Sequence, residues 1–136
     1  MGAIDKLREE ALTDLLQNGT KGDPKQKDRP YMHTRMPRFH AGELAKSFAA
    51  VDLKTEANLP VFDEPPAKAK SAGRQLVGDK GLSCVKCHPF NDHAATGVQA
   101  INLNNMNRRL REDWFYRYLA DPQAYRRGTR MPNAWP

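Results

Sequence analysis

The sequence has only two cysteines among its 136 residues, so a disulfide-rich scaffold is excluded. No apolar run approaches the roughly 18–20 residues that a membrane span needs, and we expect no span in this segment. Hydrophobic residues make up only 39% of the chain and aromatic residues 8%. Because so little apolar material is available, we expect something besides side-chain burial to help hold the chain together.

Strand-like alternation of apolar and polar residues is also missing, which favours an all-α fold with long loops. Helical spacing of apolar residues predicts helices over residues 3–18, 41–51 and 109–120, the second with Leu44, Phe48 and Val51 on one face. Residues 67–82 carry a further helical run that is expected to break at Gly78 and Gly81. Asp121-Pro122 is expected to end the last helix, and the stretch 58–66 predicts a proline-stiffened linker. Residues 89–107, which are rich in asparagine, and the tail 123–136 are expected to be loops. We therefore expect an N-terminal helical extension with its linker over residues 1–66 and a second domain over residues 67–136.

The two cysteines stand in the run Cys84-Val85-Lys86-Cys87-His88, the Cys-x-x-Cys-His pattern of covalent haem attachment. Two thiols three residues apart lie on one side of a helical turn, where each can form a thioether with a haem vinyl group. The histidine that follows is carried under the iron and becomes the proximal ligand. The pattern predicts one covalent haem c bound by Cys84, Cys87 and His88, with the porphyrin supplying apolar surface.

Three other interpretations compete with haem attachment. A zinc site would need the two cysteines and two histidines to converge, but the adjacent Cys87 and His88 point in different directions. A thioredoxin-like redox pair needs a βαβ context that the sequence does not offer. A chance match with inert cysteines is the third. His33, His40 and His93 are expected at the surface, with the first two as weak alternates for a second histidine ligand. Trp114, Tyr118 and Trp135 are expected to pack against the haem or the core.

Further segments accompany the attachment pattern: Gly73-Arg74-Gln75-Leu76-Val77 upstream, Arg111 to Pro122 with its final Asp-Pro, and Gly128-Thr129-Arg130-Met131-Pro132. Together they resemble the class I c-type cytochromes over about residues 67–136, in particular haem modules embedded in large exported multidomain bacterial proteins. The resemblance implies a small cytochrome c fold, with few helices and long loops around one haem. The first 66 residues lie outside that minimal fold.

The segment Ala100-Ile101-Asn102-Leu103 departs from the Gly-Pro-x-Leu that the family often carries after its haem motif. In the family, a backbone carbonyl near this point receives the second ring nitrogen of the proximal histidine. A carbonyl does not require proline, so we expect the interaction with His88 to survive here.

Met131 is the expected distal iron ligand. A thioether is a soft ligand that suits low-spin iron, and Pro132 favours an extended Met131 that can present its side chain. The order of His88 and Met131 along the chain matches that of the family. Met36 is the rival, because Thr34-Arg35-Met36-Pro37 repeats Thr129-Arg130-Met131-Pro132. Residues 30–51 resemble the tail of a preceding cytochrome-like module, and a core-filling role is the plain alternative for either methionine.

His/Met ligation implies single-electron transfer, and we expect no enzymatic activity of this segment itself. It would serve as a redox module of a larger protein. The alternative is a haem domain with a displaceable distal ligand, acting in peroxidase-like catalysis or gas sensing.

The chain carries 22 Lys and Arg against 16 Asp and Glu, a net charge of +6. The excess concentrates late, at Arg108, Arg109, Arg111, Arg117, Arg126, Arg127 and Arg130. These arginines indicate either a solvated basic face or a docking surface for an acidic redox partner, and no motif indicates nucleic acid. The resemblance implies an extracytoplasmic, periplasmic location. Since no apolar leader begins the sequence, we expect the chain to be a fragment of a longer exported protein.

Overall fold

The computed structural model describes residues 2–20, 36–52, 54, 58–61 and 63–134. Its helices are α1 (Ala3–Lys6), α2 (Glu9–Asn18), α3 (Leu44–Val51), α4 (Pro66–Val77), α5 (Met106–Arg109), α6 (Glu112–Ala120) and α7 (Pro122–Tyr125). Short 3-10 turns cover Cys84–Lys86 and Leu103–Asn105. The described residues contain no strand, which confirms the all-α class, while the cytochrome c fold stays a prediction.

The chain divides into two compact units. The first comprises Met1–Gln26, Thr34–Leu59 and Asn107–Pro136, and the second comprises Lys27–His33 and Pro60–Met106. The predicted domain boundary at residue 66 stays a prediction. No helix in the described part of the chain has the length and apolar character to cross a bilayer.

The first unit has a core of its own, built where α1, α2 and α3 meet. Its buried members are Ile4, Leu12, Leu16 and Ala45, with Leu7, Met36 and Ala49 packed against them. Gly42 lets α2 and α3 approach closely, since a side chain there would meet the Thr13 methyl group at 3.1 Å. The apolar face predicted for residues 3–18 is largely buried. The face predicted for residues 41–51 is wrong, because Leu44, Phe48 and Val51 are exposed and α3 packs into the core through Ala45.

The predicted single helix over residues 3–18 is wrong in its continuity, because Leu7 and Arg8 leave the helical path. Leu7 forms an antiparallel bridge with Leu110, in which the Arg8 N–H donates to the Arg109 carbonyl at 2.9 Å. The Arg111 N–H donates to the Lys6 carbonyl at 3.0 Å. The same bridge explains why the helix predicted from residue 109 begins only at Glu112.

An ion pair and an aromatic cluster join α6 to the N-terminus of the first unit. The buried Asp5 carboxylate accepts a hydrogen bond from the Arg117 guanidinium at 3.1 Å. Trp114, only 4% exposed, stacks on Tyr118 with a centroid separation of 4.8 Å. The Lys6 ammonium lies 4.8 Å from the centre of the Trp114 ring, a cation–π contact.

The second unit has little buried apolar surface. Among its described residues, only Met106 is buried, and α4 contributes no buried residue. The helix α4 begins at Pro66, a residue suited to the first turn, and ends at Val77, at the break predicted for Gly78.

Two segments predicted to be loops contain short helices. The predicted loop over 89–107 includes the start of α5 at Met106. The predicted tail loop over 123–136 overlaps α7, where the Asp121 side chain accepts a hydrogen bond from the Ala124 N–H at 3.1 Å. Asp121-Pro122 ends α6 as expected, and the same two residues also start the next helix.

Candidate functional site

The two cysteines lie on one tight turn of the second unit. Ser83 precedes the turn in the left-handed conformation, with φ of 57°, and its hydroxyl donates to the Asp79 carbonyl at 3.1 Å. The Cys87 N–H donates to the Cys84 carbonyl at 3.1 Å, and the His88 N–H donates to the same carbonyl at 2.9 Å. Because residues three apart eclipse each other in a 3-10 turn, Cys84 and Cys87 share one side of it.

A second segment, residues 97–103, runs along this turn, and we call it the strap. The Gly97 N–H donates to the Lys86 carbonyl at 2.7 Å, and the Ala100 N–H donates to the Cys87 carbonyl at 2.8 Å. Further along, the Leu103 N–H donates to the Pro89 carbonyl at 3.0 Å. These bonds hold the backbone of residues 86–89 in one geometry without an α-helix or a sheet.

The histidine ring is held by the same strap. Nδ1 of His88 lies 2.7 Å from the Ile101 carbonyl oxygen. A carbonyl oxygen only accepts, so Nδ1 must carry the hydrogen, and in the neutral ring the lone pair then belongs to Nε2. The expected contact between His88 and a backbone carbonyl is therefore present, and Ile101 provides that carbonyl where the family often has proline. The contact leaves Nε2 as the ring nitrogen able to bind a metal.

The two thiols differ in their surroundings. Cys84 is half-buried and Cys87 is exposed, and neither is in a disulfide. Burial raises the pKa of the Cys84 thiol, and the nearby Cys87 adds to that increase, although a hydrogen bond with the backbone opposes it. Cys84 is therefore held as a neutral thiol over a wider pH range than usual.

The turn is also tied closely to the end of α4. The Leu82 N–H donates to the Leu76 carbonyl at 2.6 Å, and the Ser83 N–H donates to the Gly78 carbonyl at 3.1 Å. Gly81 lies so close to this helix end that a β-carbon there would collide with the Gln75 and Leu76 carbonyl oxygens. Only glycine fits at this position without moving backbone.

The two candidate distal methionines both belong to the first unit but have different surroundings. Met36 packs against the α1–α3 core, and its backbone pairs with Thr20, whose hydroxyl accepts from the Met36 N–H at 2.8 Å. Met131 is half-buried in the loop after α7, where its N–H donates to the Thr129 hydroxyl at 3.3 Å. The repeated sequence thus occurs in one core-packed segment and one loop.

The other predicted side chains are spread over the molecule. His40 and His93 are exposed, as expected of surface residues, and His40 has a left-handed φ of 51°. His33 and Trp135 lie outside the described residues. Trp114 and Tyr118, expected to pack against haem or core, pack together within the first unit.

Within the described residues, no group of three or more His, Cys, Asp or Glu side chains is arranged to hold a metal ion. The described residues therefore do not bring together the four ligands that a structural zinc site would need. Two cavities of about 450 and 630 Å³ lie along α4, the smaller bordered also by Phe90 and Asn91. Neither of these two cavities is lined by Cys84, Cys87 or His88.

Sequence reasoning missed the asparagines that form hydrogen bonds next to the end of the strap. The Asn91 N–H donates to the Asn104 side-chain oxygen at 2.9 Å, and the Asn104 N–H donates to the Asn102 side-chain oxygen at 2.8 Å. Asn91 itself has a left-handed φ of 52°, which asparagine tolerates better than most residues. The abundance of asparagine between residues 91 and 107 was the available signal.

Comparison with models of known protein families finds no match, and comparisons with curated proteins and with solved structures find none either.

Proposed function

We propose that the second unit binds one haem c covalently through Cys84 and Cys87, with His88 as the proximal iron ligand. The observation that carries the proposal is the 2.7 Å contact between His88 Nδ1 and the Ile101 carbonyl. It fixes the ring orientation and the tautomer, the two properties that a metal-binding histidine needs from its neighbours.

The thiols of Cys84 and Cys87 and the imidazole of His88 fit a covalently bound haem. Two unpaired thiols share one side of a turn, and the imidazole that follows them has Nε2 free of the Ile101 bond. The second unit also lacks a core of its own among its described residues, which is the situation in which a small domain needs a further apolar component. A porphyrin bound at the turn would supply that component.

The proposed role is the transfer of single electrons, as a redox module of a larger extracytoplasmic protein. When bound, haem c supplies an iron that accepts and releases one electron. The chain's own part is to hold the ligands still: the strap fixes residues 86–89, and the hydrogen bond to the Ile101 carbonyl fixes the orientation of the His88 ring. A fixed ligand set keeps the geometry similar in both oxidation states.

We propose Met131 as the distal ligand. Support comes from its position in a loop, while Met36 has a ready explanation as a residue packed against the α1–α3 core. Replacing Met131 with alanine is expected to give a high-spin or ligand-exchanged spectrum, and Met36→Ala is expected to keep the sulfur-to-iron charge-transfer band. The opposite pair of results would assign the ligand to Met36.

The proposed partner is an acidic redox protein. Of the late arginines, Arg111 and Arg117 are engaged in ion pairs with Asp113 and Asp5, so they are structural. Arg108, Arg126, Arg127 and Arg130 are exposed. Electron transfer with anionic ferricyanide should therefore slow as ionic strength rises, and charge reversal at Arg126, Arg127 and Arg130 should remove that dependence. A rate that ignores ionic strength would contradict the steering role.

The proximal site can be tested with two neighbouring proline substitutions in a host that attaches haem. Ala100→Pro removes the N–H that donates to the Cys87 carbonyl at 2.8 Å. Ile101→Pro keeps the carbonyl that contacts His88, and the Ile101 N–H makes none of the strap bonds described above. We expect Ala100→Pro to lower the yield of haem-loaded protein strongly and Ile101→Pro to preserve it.

The first spectrum to record is that of the purified chain in ferric, ferrous and carbon monoxide-treated ferrous forms. A low-spin haem c with a sulfur-to-iron band and no uptake of carbon monoxide supports the electron carrier. Prompt uptake supports instead a displaceable distal ligand and the catalytic or gas-sensing alternative. A colourless chain from a host competent for haem attachment would overturn the proposal.

A further inference from the structure

One face of α4 borders the smaller of the two cavities described above, which has a volume of about 450 Å³. Its lining residues are four positions of one helical face, spaced i, i+3, i+4 and i+7, and two residues that follow the Cys84–His88 turn: Lys70, Gly73, Arg74, Val77, Phe90 and Asn91. All six belong to the second unit, so the cavity lies within one compact unit.

The lining changes from charged to apolar along the helix. Lys70 and Arg74 are exposed cations one helical turn apart, while Val77 and Phe90 are half-buried. Gly73 lies between Lys70 and Val77 on this face, and a β-carbon there would meet no atom within 4 Å. A flat apolar group therefore has room to approach the helix backbone at the middle of the cavity.

The protein does not neutralise the two cations of this cavity. In the part of the chain that the structure describes, neither Lys70 nor Arg74 forms an ion pair, whereas Lys68 on the same helix pairs with Glu64 at 2.9 Å. No acidic residue is among the six described lining residues. Because like charges one turn apart on a helix repel each other, an anion that contacts both side chains relieves that repulsion.

The opposite wall of the cavity is held by hydrogen bonds of its own. The Phe90 N–H donates to the His93 carbonyl, and the His93 N–H donates to the Phe90 carbonyl, both at 3.0 Å. The Asn91 N–H donates to the Asn104 side-chain oxygen at 2.9 Å. These bonds fix the backbone that carries the aromatic ring, and a wall that is already in place lowers the entropic cost of binding.

From this arrangement we propose that the cavity binds a small carboxylate with an aromatic body, its charge beside Lys70 and Arg74 and its ring against Val77 and Phe90. The guanidinium of arginine offers paired N–H donors that match a carboxylate, and the volume suits a small organic molecule. Inorganic phosphate would use only the charged half of the lining, so an anion with an apolar ring fits better. The proposal is independent of haem attachment, since the Cys84–His88 turn contributes none of the six lining residues.

The first test is equilibrium dialysis of 2-naphthoate against the purified full chain, as obtained from a host that attaches haem. Naphthoate fluorescence is measured in the protein-free chamber, so the reading does not depend on the haem content of the chain. We expect saturable binding at a single site, and roughly tenfold weaker binding of the neutral 2-naphthalenemethanol, which lacks the charge. Absence of naphthoate binding, equal binding of the neutral analogue, or displacement by inorganic phosphate at equal ionic strength would overturn the proposal.

Gly73→Leu tests the position of the ligand without removing a charge. The added side chain fills the open middle of the cavity, so naphthoate binding should fall below detection. Thermal stability should be kept or raised, because leucine favours a helix more than glycine does. Ser71→Leu adds the same side chain at an exposed position of α4 outside the lining and should bind naphthoate as wild type does.

The double variant Lys70→Gln, Arg74→Gln tests the two cations. It should weaken naphthoate binding roughly ten- to twenty-fivefold, at about three- to fivefold for each exposed charge. Lys46→Gln with Lys68→Gln lowers the net charge equally at residues outside the lining, and should change the affinity less than about twofold. Circular dichroism checks that every variant is folded. Equal weakening in the two double variants would reduce the binding to general attraction by net charge, and it would overturn the site, as would unchanged binding in Gly73→Leu.

Discussion

The two compact units are stabilised by different means. The first buries Ile4, Leu12, Leu16 and Ala45 in one core and also buries Leu110 and Trp114. The second, among its described residues, buries only Met106, yet its Cys84–His88 turn is fixed by a series of backbone hydrogen bonds. Hydrogen bonds give a backbone its geometry but contribute little net free energy, whereas apolar burial is the dominant favourable term in folding.

If the proposed haem is bound, this difference indicates that the second unit would depend on it for folding. A segment with a defined backbone geometry and little apolar burial is suited to bind a further apolar group on its surface. We therefore expect the first unit to fold without haem and the second to require it, and the following variants test that expectation.

The largest effect is expected from replacing both cysteines with serine. The Cys84→Ser, Cys87→Ser chain should carry no covalent haem, and amide hydrogen exchange over residues 63–105 should accelerate by about a hundredfold or more relative to the haem-loaded protein. Exchange over residues 4–18 and 112–120 should change little. Equal loss of protection in both regions would show that the units fold as one.

Trp114→Ala tests the core of the first unit. Removing this buried, stacked indole should lower the free energy of unfolding by about 3–5 kcal/mol, the usual cost for a large aromatic residue in a core. Tyr116→Ala, on the same helix but 47% exposed, is the control and should cost far less. The measurement is denaturant unfolding followed by circular dichroism; similar losses for both variants would argue against the packing of α6 described above.

Asp5→Ala tests the ion pair that joins α1 to α6. The Arg117 guanidinium would lose its 3.1 Å partner in a site where its side chain is only 17% exposed. We expect a loss of about 3 kcal/mol, the lower end for a broken buried pair, because Asp113 still lies 3.6 Å away. Asp14→Ala, which removes an exposed contact with Asn18 on α2, should change the unfolding free energy little.

The smallest effect concerns the two thiols in the haem-free chain. Because the pKa of Cys84 is raised by burial, its thiolate fraction near neutral pH is reduced, and iodoacetamide should modify Cys84 more slowly than Cys87. The difference should narrow as the pH rises through the Cys84 pKa, where that thiol also ionises. Peptide mass spectrometry of the two sites gives the rates, and faster reaction at Cys84 would contradict its buried placement.

Local signals in the sequence predicted much of the first unit. The apolar spacing of α3 and the Asp121-Pro122 stop are properties of neighbouring residues, so they could be recognised without a structure. The Leu7–Leu110 bridge and the Asp5–Arg117 pair join distant parts of the chain, and no local pattern specifies them. That is why one predicted helix is split and another starts late.

The candidate site was predicted from two kinds of information. Cys84, Cys87 and His88 follow from spacing alone, because the chemistry of attachment fixes their separation. The carbonyl partner of His88 was expected only through the family resemblance, and the structure provides it at Ile101.

The crowded position of Gly81 restricts how this chain can vary over evolutionary time. Because Gly81 has no side chain, the end of α4 can lie directly against the residues that lead into the Cys84–His88 turn. Gly73, within α4, has open space around it. In a library of all single substitutions, position 73 should accept alanine and position 81 should not. Related sequences should then show a fixed interval of three residues from this glycine to the first cysteine, with the helix and the turn inherited as one indivisible segment.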